Sequence, residues 1–158
     1  MLQVDYFERN LVEPEDMLVL LCLTSYKCGG KMPHKPKETT DDVIFKWTVA
    51  LLGVPTESVY AAFERYWDTQ PGDRFPEVKD IAVLARRSLP YMQYLRLPWW
   101  RHIRQTAIDA AGGRCQLCNA AGELHVHHRT YDRLGNEDLS DLTVLCKHCH
   151  AKFHDKPC

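Results

Sequence analysis

The 158-residue chain lacks an excess of charge of either sign: 20 Lys and Arg stand against 21 Asp and Glu, a formal net −1. A global field that would draw in polyanions is therefore excluded, and any nucleic-acid contact must rest on a local patch or a bound metal. No apolar run approaches the roughly 20 residues that cross a bilayer, so no membrane partner is expected. Met1–Asp5 lacks the basic-then-apolar order of a secretory leader, and the expected setting is inside a cell. No internal repeat and no low-complexity tract is present. What remains is an ordinary globular composition, 45% apolar and 26% charged.

The distribution of residues is less ordinary. Five of the seven cysteines lie after Arg114, and seven of the eight histidines lie after Arg101. Cys115-x-x-Cys118 and Cys146-x-x-Cys149 are two knuckles. Two residues between cysteines let both sulfurs reach one ion, and two such pairs complete the tetrahedral set of a structural zinc site. Two disulfides are the rival arrangement, but they belong to secreted chains, which nothing here suggests.

Between the knuckles, Leu124–His128 (LHVHH) and Asp141–Leu145 (DLTVL) flank the turn-like Asp132–Asn136. The pattern predicts a hairpin with a long loop. After the second knuckle a helix is expected from Ala151, with His150 and His154 at i and i+4 on one face. Neighbouring strand residues point to opposite faces, so His127 and His128 are not expected to bind one ion; one can ligate while the other handles a proton. An imidazole is suited to general-base work near neutral pH. A divalent ion with open positions can take a phosphate oxygen and water.

In order, spacing and strand context, these motifs resemble the HNH endonucleases, the ββα-metal (His-Me finger) nucleases, in their zinc-knuckle form. The resemblance spans about sixty residues, from Pro98 onward, and the lead-in from Trp99 to Arg114 is similar too. It implies that His128 is the general base, that His127, His150 and His154 hold a catalytic divalent ion (Mg²⁺, Mn²⁺, Ni²⁺ or Zn²⁺), and that Cys115, Cys118, Cys146 and Cys149 hold structural Zn²⁺. It further implies a DNA substrate, a 5′ phosphate product, one strand cut per site, and the cytoplasm of a bacterial or phage-infected cell. The family's middle Asn, which braces the loop behind the base, is Asp141 here. Asn136, in the loop, offers an amide in its place. Arg101, Arg104, Arg129, Arg133, Lys147 and Lys152 are the candidate DNA-binding residues. The competing reading is a non-catalytic zinc module that binds DNA or protein.

The rest of the chain predicts a mainly α protein: a helical N-terminal domain over residues 1–96, then a zinc-stapled ββα module over 97–158. The run EDMLVLLCLTSY is apolar on nearly all sides and predicts a buried central helix that contains Cys22. Lys31–Thr39, with two prolines, is an exposed connector or a phosphate-contacting arm. Further helices are expected over 41–52, over 57–68 after a Thr56 cap, and from Pro76 to Arg87. The N-terminal domain carries 12 basic and 14 acidic side chains through Leu97, a net −2. It is open to recruiting a protein partner, to dimerisation or to a helix-turn-helix role.

Overall fold

A computed structural model describes residues 11–30, 38–70 and 74–153. The chain divides after Leu97 into two compact units. His34, most of the lysine-bearing connector, His154 and Cys158 lie outside the described residues.

The described residues of the first unit form α1 (Pro14–Lys27), α2 (Thr40–Ala50), α3 (Thr56–Thr69), α4 (Val78–Arg87) and the single turn α5 (Tyr91–Tyr94), with one isolated bridge between Leu11 and Pro55. Pro14 opens α1, where a missing N–H costs nothing. A reciprocal capping box starts α2: Thr39 Oγ1 accepts from Asp42 N at 3.2 Å, and the Asp42 carboxylate accepts from Thr39 N at 2.8 Å. That exchange holds the Asp42 carboxyl below its usual range. The core gathers on Trp47, 1% exposed, which stacks on Phe63 at 5.5 Å and meets Phe75 edge-on at 6.2 Å. Buried Arg86 crosses from α4 to donate to the Ala50 carbonyl at the end of α2, satisfying an acceptor the helix cannot pair itself.

Several expectations require correction. Helix α1 buries only one face, through Met17, Leu20, Leu21 and Thr24. Leu18, Val19, Leu23 and Tyr26 are exposed, and so is Cys22. A helix that meets partners on one side leaves its opposite leucines in water, however apolar the run. Pro55 rather than Thr56 caps α3, and α4 begins after Glu77, two residues beyond Pro76.

The second unit is a sandwich around one hairpin. Helix α6 (Pro98–Ala110) leads in and ends at Gly112 and Gly113, both at positive φ, where residues with a Cβ would be strained. Strands β1 (Leu124–His128) and β2 (Leu142–Cys146) pair antiparallel, with His127 opposite Thr143 and His128 opposite Leu142. Helix α7 (Lys147–Lys152) follows at once, four residues earlier than expected, so the second knuckle forms its first turn. Helices α6 and α7 both pack on the hairpin. The protein is mainly helical with a small two-stranded sheet and a C-terminal cysteine cluster. Among the described residues, no helix is long and apolar enough to cross a membrane.

Candidate metal centre and the two faces of the hairpin

The loop before β1 supplies two cysteines, and the junction of β2 with α7 supplies two more. The sulfurs of Cys115, Cys118, Cys146 and Cys149 all lie within 4.8 Å of one another. Those of Cys118 and Cys146 are 3.7 Å apart. Four zinc–sulfur bonds of about 2.3 Å give a tetrahedron an edge of roughly 3.8 Å, whereas a disulfide closes to about 2.05 Å. The quartet therefore fits a structural metal ion such as zinc. Local backbone makes this shape: Asn119 takes the left-handed conformation at φ 61°, and its N–H returns to the Cys115 carbonyl at 2.8 Å.

Two of the sulfurs are shifted in opposite directions. Burial pushes the Cys115 thiol up, but N–H groups of Cys146, Cys118 and Leu117, with the Cys118 thiol, outweigh it and bring it down to about 6. Burial, reinforced by its three sulfur neighbours, pushes Cys149 up to about 12. Burial opposes the thiolate at both cysteines. A dication relieves that opposition by replacing protons.

The strand pleat sorts the histidines. On the α7 face, His150 lies flat on His125 at 5.0 Å and meets His127 edge-on at 5.4 Å. Phe153 lies 5.1 Å from His127. His127 and His150 thus lie side by side on one face of the hairpin. The Nε2 of His125 is enclosed, with the Glu123 carboxylate 3.6 Å away, beyond hydrogen-bonding range. A groove of about 460 Å³ on the same face is lined by His127, Arg129, Thr143, Gln116, Leu117 and Phe153. Arg129 Nε donates to Thr143 Oγ1 within it.

His128 points the other way, toward α6. Its ring is held between Trp100 at 4.6 Å and Tyr131 at 5.1 Å, nearly parallel to both. Its Nε2 lies 3.3 Å from Glu137 Oε1, and both side chains are only 1% exposed. Glu137 also accepts from Gly135 N at 3.1 Å and from Trp99 Nε1 at 3.4 Å. The two tryptophans thus pack on the module, as their position before the first knuckle suggests. Gly135, at φ 83°, lets the loop turn back so that its N–H reaches this carboxylate.

Asp141 braces that loop. Its carboxylate accepts from Asp138 N at 3.0 Å and from both the Nε, at 2.8 Å, and the Nη2 of Arg133. The Arg133 guanidinium, with the Asp138 N–H, holds the Asp141 carboxyl below its ordinary range. Asn136 contributes a backbone turn bond to Arg133 and is itself exposed. Within the loop, Asp141 and Glu137 accept the backbone N–H groups of Asp138 and Gly135. Nothing in the sequence marked Glu137; a lone acid in a polar loop looks like any solvated one.

The cationic candidates divide in the same way. Arg104 donates to the Leu124 carbonyl at 2.7 Å and is half-buried, and Arg133 is bound to Asp141 and Ser140. Arg101, Lys147 and Lys152 are exposed, and Arg129 lines the His127 groove. His102 and His148 are exposed. Comparison with protein-family models, with curated proteins and with solved structures finds no match. The chemistry of the site rests on its own residues.

Proposed function

We propose that the second unit is a metal-dependent DNA endonuclease of the ββα-metal type. The observation that carries this reading is the shared face of His127 and His150, with Arg129 lining the groove beside them. Two imidazoles suit a divalent ion, and a guanidinium matches the fork of a phosphate. The ion would polarise a non-bridging oxygen and neutralise charge on the leaving 3′ oxygen. His127 and His150 hold that centre, with His154 a candidate further ligand. Arg129 orients the phosphate. For His128 to take the proton from water, its ring must leave the α6 face it occupies and reach the side that His127 and His150 share. Access to its ring requires the half-exposed Tyr131 to swing aside, since Trp100 closes the opposite face.

The enclosure of His128 favours a second reading, in which the His128–Glu137 pair only pins the loop of a non-catalytic zinc module that binds DNA or protein. Plasmid nicking separates the two. Supercoiled DNA with Mg²⁺, Mn²⁺, Ni²⁺ or Zn²⁺ is expected to relax with the native chain, and at least roughly 100-fold more slowly with His128→Ala. A folded, zinc-loaded chain that binds plasmid and branched DNA yet cuts neither with any of these ions would leave the module reading standing.

A further inference from the structure

We infer that Glu137 is the positioning residue of His128: its buried carboxylate fixes the imidazole as the Nε2–H tautomer and so puts the proton-accepting lone pair on Nδ1. The geometry is a set of acceptor demands. Gly135 N and Trp99 Nε1 can only donate, and an ionised carboxylate can only accept. Glu137 Oε1 takes Gly135 N–H at 3.1 Å, and its Oε2 takes the indole N–H at 3.4 Å. With Glu137 ionised, His128 Nε2, at 3.3 Å from Oε1, is the donor. A neutral imidazole carries one N–H, so Nδ1 keeps the lone pair. Trp100 and Tyr131 fix the ring plane by stacking on either side, and the carboxylate removes the remaining ambiguity of which edge faces which way. Both partners are enclosed, so water does not compete for the bond.

The catalytic consequence rests on the nuclease reading above, whereas the tautomer does not. The test uses the full zinc-loaded chain with ¹⁵N-labelled histidine, its His128 ring signals assigned by their loss in His128→Gln. Long-range ¹H–¹⁵N spectra are expected to show the Nε2–H form at His128 in the native chain and a mixture in Glu137→Ala. The same alanine variant should lower the maximal nicking rate roughly 10–100-fold, the usual effect of losing a partner that orients a working imidazole, with the DNA concentration for half-maximal rate unchanged. Glu137→Gln, whose Oε1 can still accept from Nε2–H, should restore the tautomer and most of the rate. A native tautomer in Glu137→Ala overturns the inference, as does an undiminished rate in a chain whose His128→Ala variant is dead. Should the alanine variant fail to retain zinc, the glutamine variant decides: an Nδ1–H tautomer with full activity overturns it. If the native chain cuts nothing, or His128→Ala cuts normally, the nuclease reading falls, and the spectra still judge the Glu137–His128 link.

Discussion

The two units solve the same problem by different means. The first buries large apolar side chains: Trp47, Met17, Leu21, Leu51, Ile81 and Tyr94 are each below 2% exposed. In the second, buried groups include His128, Glu137, Asp141 and the knuckle sulfurs of Cys115 and Cys149. A unit of about sixty residues hides only enough hydrocarbon to be marginally stable. Enclosed polar groups become tolerable when each finds a partner, and an ion tying the knuckles together would fix the frame in which they do. The contrast teaches that one unit should answer to the loss of a ring and the other to the loss of a metal.

The largest expected effect is zinc removal. Metal binding in small zinc folds supplies on the order of 10 kcal/mol, so a strong chelator, or Cys115→Ser, should abolish the chemical-shift dispersion of residues 98–153. The helical signal of the first unit should persist in the same sample. Loss of both together would break the comparison. Next comes Trp47→Ala, which should cost about 3–5 kcal/mol of unfolding free energy in the first unit, read by denaturant titration, by deleting a buried ring stacked on Phe63. Bound zinc, measured by metal analysis, should stay at its native stoichiometry. The smallest effect concerns Asp141. Its carboxyl is held low by Arg133 and the Asp138 N–H. Its contribution is therefore complete above the unfolded carboxylate value near ~3.9 and fades as pH falls through the lower folded value. Arg133→Ala should raise the midpoint of the Asp141 carboxyl-carbon titration toward the ordinary value. An unchanged midpoint would show that the guanidinium contributes nothing, as exposed ion pairs often do.

Much of this division was legible in the residues. Knuckle spacing announced the sulfur cluster, and alternation in LHVHH announced that His127 and His128 would part company across the sheet. Helical spacing in Glu57–Asp68 pointed Val59, Tyr60, Phe63, Tyr66 and Trp67 inward; Val59, Phe63 and Tyr66 are buried, Trp67 is half-buried and Tyr60 is exposed. Other features depend on what lies across the fold. Whether Phe45 or Trp47 would enter the core was undecided by spacing; Trp47 is buried and Phe45 is 71% exposed. The apolar outer face of α1 misled because periodicity cannot say how many sides of a helix are covered. Glu137 was invisible for a deeper reason. A carboxylate becomes a buried acceptor only when a loop folds back to bring an indole, a backbone N–H and an imidazole around it, and those donors come from three separate stretches of the chain.

The stacking of Trp100 on His128 has an optical consequence. An indole 4.6 Å from an imidazole is a natural emitter whose brightness depends on that ring's position and charge. With Trp47, Trp67 and Trp99 replaced by phenylalanine, the remaining glow would follow that imidazole in real time, with no dye attached.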